Sequence, residues 1–216
     1  MIISPGRRYI FVHIPKTGGT AMALALEARA MRDDILVGDT PKARARRGRL
    51  KGLAPAGRLW KHSRLADIEG VVAREDFQRF LIVTLTRNPW DRLVSYYHWL
   101  RAQAFAHPAV ALAKATDFPR FLADPATQAA QAANPVARYL MDGAGVERPA
   151  LIMRIERLAD EMGPLAAHLG FTPAPPRANA SARDRDWRPS YSDADAELVG
   201  RLCAPDIARF GYRFDG

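Results

Sequence analysis

The sequence has few of the features that hold secreted or metal-bound proteins together. Its single cysteine, Cys203, excludes an internal disulfide framework and any zinc site built from several cysteines. No aspartate-rich cluster or metal-spaced histidine pair is present, so no metal is expected. No apolar run approaches the roughly 18 residues of a transmembrane helix, and the N-terminal residues do not resemble a signal peptide. These absences predict a cytoplasmic protein.

The net charge, in contrast, is strongly positive. The chain carries 32 Lys+Arg against 23 Asp+Glu, a formal net charge of +9. Such an excess favours an anionic partner: a nucleic acid, a membrane surface, or a phosphorylated or sulfated small molecule. Because 48% of the residues are hydrophobic, a folded core is expected and global disorder is excluded. The length suits a single domain over residues 1–216.

The order of apolar segments indicates the fold class. Three short apolar runs predict strands, and each precedes a segment of helical character. The predicted strands are Tyr9–Ile14, Phe80–Thr86 and Leu151–Ile155, and the predicted helices are Ala21–Met31, Pro89–Gln103 and Arg157–Leu169. This alternation predicts an α/β fold of three layers, with a central parallel sheet flanked by helices.

Other parts of the chain give weaker signals. Residues 58–61 predict a short strand before His62, and Ser192 is a favourable N-cap for a last helix over residues 193–203. The basic stretch of residues 40–57 predicts a mobile surface loop, which would attract an anionic glycan or have no role. The proline-rich stretch of residues 171–189 predicts an irregular surface segment.

The first strand runs into a loop suited to binding an oxyanion. Residues 11–20 read FVHIPKTGGT, so Lys16 supplies a cation and the two glycines allow backbone N–H groups to turn inward before a helix. Thr17 and Thr20 add hydroxyl groups. The arrangement is P-loop-like, but Lys16 precedes both glycines, unlike the Walker A pattern. The alternative is a tight turn whose lysine faces solvent.

A second cluster follows the next predicted strand. Residues 86–97 read TRNPWDRLVSYY, with Asn88 and Pro89 suited to begin a helix. Arg87 then stands at the carboxyl end of a strand, where ligands bind α/β sheets. Ser95 lies on the following helix, and both side chains are candidates for one phosphate. The alternative is that Arg87 forms an ordinary surface ion pair.

Taken in order, PKTGGT and TRNPWDRLVSYY resemble the sulfotransferases that use 3′-phosphoadenosine 5′-phosphosulfate (PAPS). They are closer to the carbohydrate-modifying branch of that family than to the branch that acts on small molecules. The stretches LIMRIERL and DIARFGYRF are weaker similarities to a strand-to-helix segment and to a common family ending. The resemblance leaves residues 32–57 and 104–130 poorly covered.

The resemblance implies a role for each motif. Its first motif would hold the 5′-phosphosulfate, and its second, through Arg87 and Ser95, the 3′-phosphate. A late basic loop often covers the nucleotide, which makes Arg183 a further candidate. The residues implied in 5′-phosphosulfate binding are Lys16, Thr17, Gly18, Gly19 and Thr20. PAPS would be the co-substrate, and the acceptor would bear a hydroxyl group on a saccharide or glycolipid, with peripheral membrane contact at most.

Sulfuryl transfer also needs a base and a cation at the leaving phosphate. Lys16 is the natural cation by analogy with phosphoryl transfer. In the family a histidine base lies after the strand that precedes the 3′-phosphate strand, and that position corresponds to His62. Histidine suits the role because its ordinary pKa is about 6.5. The other candidates are His13 (a packed residue), His98, His107, His168 (at a helix end), Glu27 and Glu69.

Two other functions remain open from the residues alone. A small-molecule kinase with an atypical phosphate loop would need Mg²⁺ and an acidic ligand, and the position of Lys16 argues against it. A nucleic-acid-binding protein would explain the charge of +9. No recognised nucleic-acid motif supports that function, and no nucleic-acid partner is expected.

Overall fold

A computed structural model gives the fold, and it describes residues 1–176, 184 and 186–215. The chain divides into two compact units. The first comprises Met1–Thr86 and the chain from Val136 into the proline-rich segment. The second comprises Arg87–Pro135 and the C-terminal part of the chain. Within the described residues, no helix is both long enough and apolar enough to cross a membrane.

All strands of the described residues belong to one sheet in the first unit. They are β1 Ile2–Ser4, β2 Tyr9–Val12, β3 Ile35–Leu36, β4 Leu81–Thr86 and β5 Leu151–Arg154. The order across the sheet is β3-β1-β2-β4-β5. The three strands that the apolar runs predict, β2, β4 and β5, are parallel, whereas β1 pairs antiparallel with both β2 and β3. The α/β class is therefore confirmed, with a mixed sheet flanked by helices.

The helices of the described residues are mostly short. The α-helices are α1 Gly19–Ala28, α2 Pro41–Ala45, α3 Pro89–Arg101, α4 Pro108–Ala115, α5 Phe118–Ala123, α6 Pro125–Ala132, α7 Val136–Leu140, α8 Leu158–Glu161, α9 Gly163–Leu169, α10 Asp193–Leu202 and α11 Ala204–Phe210. Single 3₁₀ turns lie at Arg47–Leu50, Ala66–Ile68, Arg74–Gln78, Ile155–Arg157 and Arg188–Ser190.

The first unit packs helices α1 and α9 on one face of its sheet. Met22 and Leu26 of α1 and Leu165 of α9 are buried in one apolar cluster with the strand residues Phe11 and Val83. Burying such side chains contributes about 1.5–3 kcal/mol each. This packing fixes the end of β2 relative to the start of α1, which is where the sequence predicts an oxyanion loop.

The second unit is helical and has an aromatic core. Trp90, Tyr97, Phe118, Phe121 and Trp187 are buried together in it. Helix α3 begins as predicted, because the Asn88 side chain accepts a hydrogen bond from the Trp90 N–H and Pro89 occupies the first turn. The Ser192 cap of α10 is also confirmed, as part of a capping box.

Three local predictions are wrong. Residues 58–61 form a turn rather than a strand, because the Ser63 hydroxyl bonds the chain around it. The basic stretch is helical in part, since Thr40 caps α2 and Pro41 begins it. The helix predicted over residues 157–169 is divided between α8 and α9. Pro164 lacks the N–H that would continue a single helix.

Candidate functional site

The candidate site begins at the carboxyl edge of the three parallel strands. The register pairs Val12 with Thr84 and Thr86 with Arg154, so the three strands end at the same edge of the sheet. The loop before α1 leaves β2 there, Arg87 follows β4 directly, and Ile155 follows β5. Open α/β sheets bind ligands at this edge.

The loop before α1 has the backbone of an anion-binding nest. Lys16 has a φ of 67° and Gly18 a φ of 83°, whereas the residues between and after them have negative φ. Such alternation turns successive N–H groups toward one point. Gly18 is also the N-cap of α1, and within the described chain no side chain caps this helix. The amides of the first turn of α1 therefore suit an oxyanion ligand.

Close packing explains why the loop carries two consecutive glycines. A Cβ atom on Gly19 would lie 2.1 Å from Cδ2 of His13, and one on Gly18 would lie 2.3 Å from Cδ1 of Ile155. Both distances are far inside van der Waals contact, and at Gly18 the positive φ adds strain for any other residue. The loop thus lies directly on His13 and Ile155.

The two threonines of the loop have different environments. Thr17 is buried, and its hydroxyl donates to the Ile14 carbonyl oxygen over 2.9 Å. In this arrangement its proton stabilises the loop instead of pointing to a ligand. Thr20 is partly exposed in the first turn of α1, which leaves its hydroxyl the better placed of the two for a bound anion.

His62 is held with a defined tautomer. Its Nδ1 lies 2.7 Å from the carbonyl oxygen of His13. Since a carbonyl oxygen only accepts, Nδ1 carries the proton and Nε2 carries the lone pair. Desolvation by burial lowers the pKa of His62 to about 4, against the opposing effect of its bond to His13. The ring is therefore neutral at pH 7, with Nε2 able to accept a proton.

His13 is a packed residue, as predicted. It is 6% exposed, and its ring makes an edge contact with that of His62 at a centroid distance of 4.6 Å. Burial lowers the pKa of His13 well below its ordinary value, and the nearby cationic groups act in the same direction. The neutral ring of His13 lies under Gly19 and supports the loop. The backbone carbonyl of His13 orients His62.

Arg87 and Ser95 lie in the second unit, on either side of one acidic residue. The Arg87 Nε atom donates to Asp91 Oδ2 over 2.7 Å, and the two side chains are 17% and 16% exposed. Asp91 and Ser95 are four residues apart on α3, so they lie on the same helix face. Ser95 is buried. Arg87 is therefore half-buried and oriented by Asp91, which lies one helical turn before Ser95.

The remaining candidate bases have structural partners. Glu27 is buried and accepts a 2.6 Å hydrogen bond from Thr40, and its pKa is raised mainly by desolvation. Glu69 pairs with Arg74, whose hydrogen bond is the main cause of its lowered pKa. His107 caps α4, and His168 Nε2 lies 2.8 Å from the Arg7 carbonyl oxygen. His62, in contrast, contacts the ring of His13, which lies under Gly19 of the loop before α1.

Two predictions remain, one about Arg183 and one about metal ions. Arg183 lies outside the described residues. Within the described part of the chain, no cluster of three or more His, Cys, Asp or Glu side chains could hold a metal ion.

Sequence reasoning missed two residues that shape the site. The side chain of Ile155 leaves no room for a Cβ atom on Gly18. The buried Ser63 hydroxyl stabilises, by hydrogen bonds, the turn in which His62 lies. A single isoleucine after a strand and a single serine in a turn carry no motif, so no signal in one sequence could have identified them.

Comparisons with known proteins give little at the sequence level. No protein-family model matches the chain, and no curated protein matches it. Among solved structures, it is similar to mouse sulfotransferase SULT7A1 complexed with PAP. That match has a TM-score of 0.48 and 14% sequence identity, and covers 97% of this chain and 87% of the mouse chain.

Proposed function

We propose that this chain is a sulfotransferase that moves a sulfuryl group from PAPS to a hydroxyl group, with a saccharide as the expected acceptor. The observation that carries the proposal is the backbone of the loop before α1. Positive φ at Lys16 and Gly18, together with an N-cap that lacks a side-chain bond, suits a tetrahedral oxyanion. Lys16 adds the positive charge that a leaving phosphate needs.

The proposed reaction is an in-line displacement at sulfur. The acceptor oxygen forms a new bond to sulfur while the bond between sulfur and the bridging oxygen of PAPS breaks. The hydroxyl proton passes to Nε2 of His62, and the electron pair of the broken bond remains on the phosphate of adenosine 3′,5′-bisphosphate. Lys16 and the loop amides stabilise the charge that develops on this leaving group. The products are the sulfated acceptor and the bisphosphate.

The tautomer of His62 supports its role as the base. Its Nδ1–H is committed to the His13 carbonyl, so the lone pair on Nε2 is the one available to a substrate. A pKa of about 4 keeps this lone pair unprotonated across the neutral range. The ring is therefore in the unprotonated form that accepts the hydroxyl proton, and its lowered pKa makes it a weaker base than a solvated histidine.

In this proposal Arg87 and Ser95 bind the 3′-phosphate of the donor, and Thr20 assists the loop. Asp91 orients the Arg87 guanidinium through its 2.7 Å bond to Nε. Arg183 remains a candidate for a further contact with the nucleotide.

The donor site is tested by calorimetric titration with adenosine 3′,5′-bisphosphate in the presence of EDTA. Adenosine 5′-monophosphate serves as the matched ligand that lacks the 3′-phosphate. We expect micromolar binding of the bisphosphate without metal, and binding of the monophosphate weaker by about tenfold or more, the effect of losing one charge-assisted contact.

The variant Arg87→Ala tests whether Arg87 causes the difference in affinity between the bisphosphate and the monophosphate. Arg87→Ala is expected to weaken binding of the bisphosphate far more than that of the monophosphate. Equal losses for the two ligands would show that Arg87 does not bind the 3′-phosphate. Binding of ATP only with Mg²⁺ would favour a kinase instead, and steeply salt-dependent binding of generic DNA would favour a nucleic-acid-binding protein.

A further inference from the structure

An exposed tryptophan lies beside the proposed base. Trp60 is 39% exposed, which is unusual for so large an apolar side chain. The centroid of its ring is 5.0 Å from that of His62, and the two ring planes meet at 85°. The indole therefore lies directly beside the His62 imidazole, within reach of a ligand that contacts this ring.

The turn that carries this tryptophan is fixed by a buried serine. Ser63 is 0% exposed. Its hydroxyl accepts a 2.8 Å hydrogen bond from the backbone N–H of Trp60 and donates one of 2.8 Å to the Arg58 carbonyl oxygen. These bonds set the geometry of residues 58–63 before any ligand arrives. Preorganisation of this kind lowers the entropy that binding costs.

A cation lies over one face of the indole. The guanidinium carbon of Arg58 is 4.9 Å from the centroid of the Trp60 ring. Arg58 is exposed, and within the described residues no carboxylate pairs with it. Lys61, its neighbour in the turn, is instead paired with Asp39 over 2.8 Å. An arginine stacked on a ring keeps its N–H groups directed outward, where they can bind an anion.

We infer that Arg58 and Trp60 form the acceptor subsite, and that its occupant is a sugar ring that carries negative charge. The apolar face of the sugar ring packs on the indole of Trp60. The anionic group of the sugar, a carboxylate or a sulfate or phosphate ester, bonds to the Arg58 guanidinium. An uncharged sugar uses the indole alone and binds more weakly. This inference rests on the proposed function, since it takes His62 as the base.

The test follows the indole signal of Trp60 by NMR in protein labelled with ¹⁵N-tryptophan. The chain has 4 tryptophans, so the spectrum is simple, and loss of one signal in Trp60→Phe assigns it. The probes are methyl β-D-glucuronide and methyl β-D-glucoside, which differ in one carboxylate. Each is titrated with and without saturating adenosine 3′,5′-bisphosphate.

We expect both probes to move the Trp60 signal, with a dissociation constant about fivefold lower for the glucuronide, as for one exposed charge pair. Arg58→Ala should abolish this preference and leave the glucoside unchanged. Arg47→Ala, an exposed arginine of the basic stretch, is the matched control and should keep the preference. A Trp60 signal that neither probe moves, or a preference that survives in Arg58→Ala, overturns the inference.

The bisphosphate titration separates this inference from the proposed function. If the bisphosphate binds and the Trp60 signal is unmoved, the acceptor subsite is wrong and the donor site stands. If the bisphosphate fails to bind while the glucuronide still shifts Trp60 in an Arg58-dependent way, the donor assignment is wrong and the saccharide subsite stands.

Discussion

At the residue scale, Lys16 combines an uncommon backbone conformation with the charge that the proposed chemistry needs. Its φ of 67° is rare for a residue with a side chain. A strained residue at a ligand-binding loop is common where the strain preorganises the site. A methionine at this position keeps the side-chain length and the same backbone strain, and removes the ammonium group with its charge and its hydrogen-bond donors.

We therefore predict that Lys16→Met lowers kcat/KM for sulfuryl transfer by about 10²–10³-fold, the usual effect of removing one group that stabilises developing charge. The free energy of unfolding should stay within about 0.5 kcal/mol of the parent value. Lys51→Met, at an exposed lysine, is the control and should change neither quantity. Turnover that survives in Lys16→Met would remove the loop from the mechanism.

The contact between Gly19 and His13 gives a prediction about stability. A Cβ atom on Gly19 would lie 2.1 Å from the His13 ring, so Gly19→Ala should destabilise the fold by about 1–3 kcal/mol in urea unfolding. Gly48→Ala is the matched control, because no atom outside its chain neighbours lies within 4 Å of a Cβ there, and its φ is not positive. It should be neutral or slightly stabilising. Removing the obstructing ring in His13→Ala/Gly19→Ala should cost less than the two single changes added together.

At the element scale, the basic stretch has a structural task. Arg46 donates to the Met31 carbonyl oxygen over 2.7 Å, Arg49 donates to that of Arg32 over 2.6 Å, and Lys42 donates to that of Glu27. Helix α1 ends at Ala28, so these cations bind carbonyl groups in its last turn and in the chain just beyond. Cations are favourable at a helix C-terminus because they offset its partial negative charge.

It follows that Arg46→Ala/Arg49→Ala should lower the free energy of unfolding by about 1 kcal/mol, the sum of two exposed charge-assisted bonds. The pair Arg44→Ala/Lys51→Ala removes the same net charge from the same stretch and is the control. No side-chain hydrogen bond or ion pair links either residue to another described residue. An equal loss of unfolding free energy in both double variants would mean that the total charge, and not the bonds to carbonyl groups, determines the stability.

The elements also show what one sequence could predict. The strands β2, β4 and β5 were accessible because each is a continuous apolar run, and α3 because Asn88 and Pro89 mark its start. The strands β1 and β3 were missed because segments of three and two residues are too short to show a pattern. The strand predicted over residues 58–61 is wrong because the geometry of this segment depends on the buried hydroxyl group of Ser63.

At the scale of the whole molecule, the sequence indicated the class of ligand but not how each site residue is held. The charge of +9 and the two motifs pointed to an anionic donor. The pairing of Arg87 with Asp91 joins residues four apart and is the alternative that the sequence left open for Arg87. The burial of Thr17 and the tautomer of His62 depend instead on tertiary contacts. Such contacts carry no sequence signal because each joins single residues through the fold.

Burial of two neutral histidines predicts how stability depends on pH. In the unfolded chain, histidine has a pKa of about 6.5. Burial lowers the pKa of His62 to about 4, and lowers that of His13 well below 6.5. Between these values the unfolded chain binds protons that the native protein does not, so the free energy of unfolding falls as the pH falls from about 6.5 toward 4. Above pH 6.5 the contribution is fully present.

We expect His62 alone to account for a loss of about 2 kcal/mol between pH 7 and pH 4.5, measured by urea unfolding at several pH values. In His62→Gln the side-chain amide still donates to the His13 carbonyl oxygen but does not titrate, so the slope of stability against pH should flatten. His168→Gln, at an exposed histidine, is the control for the removal of one imidazole. A slope that is as steep in His62→Gln as in the parent would mean that this imidazole is not held neutral by burial, and would weaken its assignment as the base.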